Sequence, residues 1–308
     1  SLGHRKVLNQ YNDSGVAQWS QPISHYNSYS CCSSYGDVIL DKNNNVIISA
    51  QIGGYSDENG NWLAQKDVLR KYSSSGVELW NQELLMYGSY YSGGKIIVDD
   101  SGNIYLTGRT GTYDQYGNHL GNKNILKKYS SSGTELWNQE MSLIHDQHSQ
   151  SSGGMYLIFD NNWNIYVNET AQYNLDNGSV SHKSVLTKYS NSGAEQWGVE
   201  QKAHEIFQDI PNNLHFWSHP VFDKNDNVYI TTGLHCHSAC ADYSSTTQTH
   251  VTKYSSAGIE QWNHKYSDMS YGGVFTDNLG NVYIDEKLAY TDSMGHRATK
   301  SAYLLKLR

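Results

Sequence analysis

KYSSSGVELW at 71–80 decides how this chain is read, because it returns as KYSSSGTELW at 128–137, KYSNSGAEQW at 188–197 and KYSSAGIEQW at 253–262, and more loosely as QYNDSGVAQW at 10–19. Trp19, Trp80, Trp137, Trp197 and Trp262 therefore mark one unit of about 60 residues used five times. Within each phrase, strand-forming residues flank a Ser-rich turn that ends in Gly, the pattern of a β-hairpin. A second hairpin precedes each of the four later phrases: VILDKNNNVII (38–48), IIVDDSGNIYL (96–106), LIFDNNWNIYV (157–167) and VFDKNDNVYI (221–230), with VFTDNLGNVYI (274–284) opening a last unit. Four strands per unit follow, A to D in chain order.

A four-stranded sheet that recurs at this spacing has two apolar faces, and only neighbouring sheets can cover both. The expected fold is all-β: a five-bladed β-propeller of four-stranded antiparallel blades in a single domain, 1–308. The blades are expected at 37–84, 95–142, 156–202, 219–267 and 273–308 plus 1–21. The last unit stops after strand C at YLLKLR, whereas the N-terminus reads as C and D, so N-terminal strands are expected to complete the C-terminal blade and close the ring. One C-type strand, 7–11 or 304–307, is then surplus and is expected as an extra outer strand. The phrase resembles the Trp-bearing repeats of SBBP-type and quinoprotein-type β-propellers over almost the whole chain. That resemblance implies architecture and is silent on activity.

The net charge of −8, with no long basic run, argues against nucleic acid or anionic membrane as a partner. No apolar run approaches the length of a membrane span. Four cysteines, Cys31 with Cys32 and Cys236 with Cys240, favour secretion in so turn-rich a chain. Cys236 and Cys240 would staple one loop, while Cys31 and Cys32 are left as a vicinal bridge, paired elsewhere or free. Sequons at Asn12, Asn168 and Asn177 agree with secretion, and only Asn177 is read as lying in an obvious loop.

Alternating strand direction puts the A–B and C–D turns at one end of the blades and the B–C loops with the D–A crossings at the other. The Asp-x-Asn-x-Asn turns at 41–45, 160–164 and 223–227 resemble the start of a calcium loop, but lack a closing Glu, and Asp and Asn favour tight turns for their own backbone bonding. The recurring Tyr and Trp are read as packing residues rather than a fivefold sugar platform. By contrast the B–C segments share almost nothing: GGYSDENGNWLAQK (53–66), TGTYDQYGNHLGNK (110–123), QYNLDNGSVSHK (172–183), LHCHSACADYSSTTQTH (234–250) and AYTDSMGHRATK (289–300). A repeated sugar site, as in tachylectin-type five-bladed lectins, would repeat its contacts, so one asymmetric site is expected.

Most of the 14 histidines fall in or beside these variable segments, crowded around the third and fourth units. Three D–A crossings end in Gly-Gly, at 93–94, 153–154 and 272–273, whereas the fourth unit has Trp217, Ser218, His219 and Pro220 there. Acid-base candidates are His219, His215, His145 and His148, with Tyr271 and Glu169; a salt bridge from Glu169 to Arg109 is the structural reading of that carboxylate. Ligand-contact candidates are Trp217, Tyr91, Tyr90, Tyr113, Trp62 and His182. His235 and His237, two apart on a strand, resemble a metal pair, completed by His250, His215 or His219.

No cofactor is required by any motif, and a divalent metal at those histidines is the alternative. No phosphate loop, dinucleotide fingerprint or Ser-His-Asp pattern occurs. The expected function is a secreted propeller binding a carbohydrate or small molecule at one channel-mouth site. The alternatives are a His/Tyr/carboxylate enzyme of glycan hydrolase or lyase type, since five-bladed propellers include glycoside hydrolases, and an adhesive protein. Oligomeric state is left open.

Overall fold

The computed structural model describes residues 4–26, 36–52, 55–56, 62–63, 66–84, 95–113, 119–144, 152–174, 180–202, 214–236, 248–267, 269–270, 274–277, 281–291 and 297–307. Every regular element among them is a strand. Among the described residues no helix is long and apolar enough to cross a membrane. The chain divides into two compact units, Ser1–Ile144 and His145–Arg308.

The first unit opens with a hairpin, β1 (His4–Tyr11) and β2 (Ala17–Tyr26), which pair as a two-stranded sheet. The first full sheet follows, from β3 (Val38–Leu40), β4 (Val46–Ile52), β7 (Lys66–Tyr72) and β8 (Glu78–Leu84), with a two-stranded ribbon of β5 (Tyr55–Ser56) and β6 (Trp62–Leu63) between β4 and β7. The second comprises β9 (Ile96–Val98), β10 (Ile104–Tyr113), β11 (His119–Tyr129) and β12 (Glu135–Ile144).

The second unit holds three sheets. The third sheet is β13 (Ser152–Phe159), β14 (Ile165–Asn174), β15 (Val180–Tyr189) and β16 (Glu195–Lys202), and the fourth is β17 (Leu214–Phe222), β18 (Val228–Cys236), β19 (Gln248–Tyr254) and β20 (Glu260–Ser267). The last sheet sets β23 (Val282–Thr291) between β24 (Arg297–Leu307) on one edge and β21 (Met269–Ser270) with β22 (Val274–Thr276) on the other. All pairings are antiparallel, as the hairpin reading of the repeats requires.

Much of what reads as B–C loop is in fact strand. β10 and β11 stay paired out to Tyr113 opposite His119, and β14 and β15 out to Asn174 opposite Val180. The alternation of small, polar and aromatic residues there fits a two-stranded ribbon, leaving only 114–118 and 175–179 between the paired strands. Gly153 and Gly154 fall inside β13, where the register slips between Ser152 and Met155, a position that suits residues without a side chain.

The middle strands β4, β10, β14 and β18 are buried on both faces where they leave the turns, whereas the D strands β8, β12, β16 and β20 are largely exposed. Ile47, Leu69 and Leu84 of the first full sheet pack with Ile96, Ile104, Leu106 and Tyr129 of the second. Likewise Tyr166 and Leu186 pack with Val228, Ile230 and Tyr254, and on its other face the fourth sheet packs Tyr229 and Val251 against Val274 and Val282.

The recurring phrase is the clasp between neighbouring sheets. Trp19 Nε1 donates to the Ser74 carbonyl at 3.0 Å, Trp80 Nε1 to Ser131 at 3.1 Å and Trp197 Nε1 to Ser256 at 3.1 Å, in each case the C–D turn of the next sheet. Lys71 and Lys188 donate to the Ser131 and Ser256 carbonyls as well, each at 3.2 Å. The turn glycines lie beneath the indoles: a Cβ on Gly76, Gly133 or Gly258 would come within 2.7, 2.9 or 2.7 Å of the clasping Trp ring. All three also have positive φ, so Gly is required there twice over. The tryptophans are thus packing residues, as expected.

Candidate functional site

The A–B turn end of the sheets is chemically closed. Asp41 Oδ1 accepts the Asn43 and Asn45 amides and its Oδ2 the Asn45 side-chain amide, all at 2.9 Å, while Lys71 Nζ lies 2.9 Å from Oδ2. Burial alone would push the Asp41 carboxyl up, but bonds from Asn45, Lys71 and the turn amides outweigh it and hold it at about 2. Asp99 and Asp223 accept the same three turn bonds and Asp277 the two from Asn281, and each also accepts a tyrosine hydroxyl, from Tyr105, Tyr229 and Tyr283 at 3.1, 3.2 and 2.9 Å. Burial and the Asp223 charge push the Tyr229 phenol up, so it stays a donor. Lys128, Lys188 and Lys253 lie over the Tyr105, Tyr166 and Tyr229 rings at 4.9 to 5.2 Å.

These carboxylates face hydrogen-bond donors on both oxygens, which is the turn reading and not the calcium one. Among the described residues no group of three His, Cys, Asp or Glu side chains is gathered as for a metal ion. Asn168 is fully buried and accepts the Ser184 hydroxyl at 2.9 Å, so its sequon is not displayed by the folded chain. Asn12, in contrast, heads an exposed turn, its Oδ1 accepting the Ser14 and Val16 amides at 3.1 and 2.8 Å.

The other end of the fourth sheet is different. Antiparallel pairing of β17 with β18 sets His215 opposite His235, Trp217 opposite Gly233 and His219 opposite Thr231. Strand alternation places these six register positions on one face. Two imidazole-bearing residues 20 positions apart in sequence thus become direct cross-strand neighbours, with an aromatic position one pair further in. The third sheet carries Ser152 and Gly154 where β17 carries His215 and Trp217, counting back from the turn aspartates Asp160 and Asp223.

His250 does not join that group. It pairs with Thr232, which alternation puts on the opposite face from Gly233 and His235. It is buried, its Nδ1 lies 3.2 Å from Asn263 Oδ1, and Asn263 Nδ2 donates to Thr252 Oγ1 at 2.8 Å. Burial pushes the His250 imidazole down; Lys265 adds to that and the Asn263 bond opposes it. His250 is therefore a neutral residue of the sheet interior at neutral pH.

Glu169 is likewise fully buried, in β14 between Met155 and Val185. Tyr113 pairs with His119, His182 with Gln172 and Trp62 with Ser56, each in a different ribbon. His145, His148, Tyr271, Tyr90, Tyr91 and His237 lie outside the described residues, as do Cys31, Cys32, Cys240 and Asn177. The pairing of His215 with His235 was not legible from the chain, since it depends on the register of β17 against β18. The break in the Gly-Gly pattern at 217–220 pointed to that strand, and His215 stood with His219 and His250 among the residues that could complete the His235 and His237 pair.

No family model matches the chain, and no curated protein matches it. Several solved structures are similar. A polysaccharide lyase of a new family, an ulvan lyase, is 13% identical with TM-score 0.49, over 99% of this chain and 83% of that one. A thermostable family-43 glycoside hydrolase is 12% identical with TM-score 0.41, over 88% and 93%. A Bombyx mori family-32 β-fructofuranosidase is 11% identical with TM-score 0.39, over 83% and 55%. Likeness at this level bears on neither ligand nor activity.

Proposed function

We propose that the protein is a secreted binding protein with one asymmetric site, at the end of β17 and β18, for a carbohydrate or similarly hydroxylated small molecule. The observation that supports this reading most is the cross-strand pair His215 and His235 beside Trp217 and His219. Tryptophan and histidine are residue types suited to sugar recognition, the one by stacking and the other by hydrogen bonding, and the register brings them to neighbouring strand positions. The turn end offers no such equipment, because its polar groups are spent on one another. The exposed sequon at Asn12 supports secretion.

A glycan array followed by calorimetry tests the proposal. One binding site per chain is expected, lost in His215→Ala and Trp217→Ala, each checked to unfold in a cooperative thermal transition. Binding that survives both substitutions overturns it. Turnover of a bound glycan, abolished by His215→Ala, would replace it with the acid-base enzyme reading.

A further inference from the structure

The A–B turns of the third and fourth sheets each depart from the repeat, and the two departures meet. The fourth residue of these turns has positive φ: Asn44 at 59°, Gly102 at 79°, Trp163 at 60° and Asp226 at 59°. Gly, Asn and Asp tolerate that region, whereas a bulky aromatic gains nothing locally from it. Trp163 is therefore strained, and strain of this kind gathers where a side chain is kept for a role other than folding. Its indole is half-buried, and its ring contact among the described residues is Phe159, edge-on at 5.1 Å.

Asp226 is the other departure. Asn161 donates its backbone N–H and its Nδ2 to Asp226 Oδ1 at 3.0 and 2.7 Å, and Asn162 Nδ2 donates to Oδ2 at 2.8 Å. An ionised carboxylate only accepts, so both amides are held with Nδ2 toward Asp226. The Oδ1 atoms of these two exposed residues take no hydrogen bond from the described residues. They are acceptors fixed in orientation and open to solvent, beside the indole of Trp163.

The charge behind them is uncompensated. Asp160 has Lys188 Nζ at 3.3 Å, whereas Asp226, which is buried, has no cation paired with it among the described residues. Lys224 in the same turn makes no ion pair either. Burial, and after it the charges of Asp160 and Asp226, push the Tyr166 phenol up. An aromatic face, two outward acceptors and a carboxylate held only by neutral donors complement a planar cation with several N–H groups. A sugar would use the oxygens and leave the charge unmet. The net charge of −8 favours the approach of a basic partner.

We propose that Asn161, Asn162 and Trp163, backed by Asp226, form a docking site for an arginine side chain of a basic partner peptide. The guanidinium lies on the Trp163 ring and donates to the two Oδ1 atoms. The site is built at the turn end of the third and fourth sheets and does not depend on the proposed ligand site.

The chain itself supplies the variants for the test. The second sheet carries Gly102 where the third carries Trp163, and the first carries Asn44 where the fourth carries Asp226. Trp163→Gly and Asp226→Asn should therefore fold, each with a cooperative thermal transition. Hexaarginine and hexalysine are titrated by calorimetry while the indole N–H signals are followed by NMR, with Trp163 assigned by Trp163→Gly. Hexaarginine should bind more tightly than hexalysine and shift the Trp163 signal. Its affinity should fall about fivefold or more in Trp163→Gly, as for a lost cation–π contact, and about threefold or more in Asp226→Asn. Unchanged affinity in either variant, equal affinity for the two peptides, or shifts confined to other indoles overturns the inference. So does a Trp163 signal that answers to a saccharide and not to hexaarginine.

Discussion

Set the A–B turn of the first full sheet beside the opposite end of the fourth. At the turn, Asp41, Asn45 and Lys71 satisfy one another, and Lys71 also reaches the Ser131 carbonyl of the next sheet. At the other end, His215, Trp217 and His219 run along β17 opposite His235, Gly233 and Thr231, where the third sheet carries Ser152 and Gly154. One region recurs because each sheet must be held to its neighbour. The other departs from the repeat, and departures from a repeat are where a ligand can be addressed.

That contrast can be broken most forcefully at the turn. Asp41→Ala leaves Lys71, whose side chain is 6% exposed, without its carboxylate, and should cost about 3 kcal/mol or more in chemical denaturation. Gly133→Ala combines a positive φ with a Cβ 2.9 Å from the Trp80 ring, and should cost about 2 kcal/mol. Trp80→Phe keeps most of the packing but loses the bond to Ser131, so about 1 kcal/mol is expected. If any of these is neutral, the repeated phrase is not the frame.

Acidity sharpens the same comparison. Asp41, held at about 2 against an ordinary 3.8, contributes stability that is full above pH 3.8 and is lost as pH falls toward 2. His250 has a lowered value, so its contribution is full above pH 6.5 and declines as pH falls below that. Melting temperature against pH should therefore lose its decline just below 6.5 in His250→Gln and keep its acid limb. The His215→Ala variant should lose ligand binding in calorimetry and keep the acid limb set by Asp41.

The frame was legible because it is local and repeated. Asp, Asn, Tyr, Gly and Trp recur at fixed offsets, and each offset corresponds to a hydrogen bond or a ring contact in the structure. The long ribbons were read as loops because their register depends on pairing far from the turns, as at Tyr113 and His119. The candidate site was legible only in part. His235 was singled out with His237 by spacing within one strand, whereas its cross-strand partner His215 is set by pairing. His250, adjacent in the sequence to that variable segment, belongs by alternation to the other face.

The most direct test is calorimetric stoichiometry with a saccharide selected on a glycan array, run in parallel on wild type, His215→Ala and Gly133→Ala. One site per chain is expected, absent in His215→Ala and retained in Gly133→Ala at temperatures where that variant is folded. Five equivalent sites, or binding that follows the clasp variant and ignores His215, would contradict it.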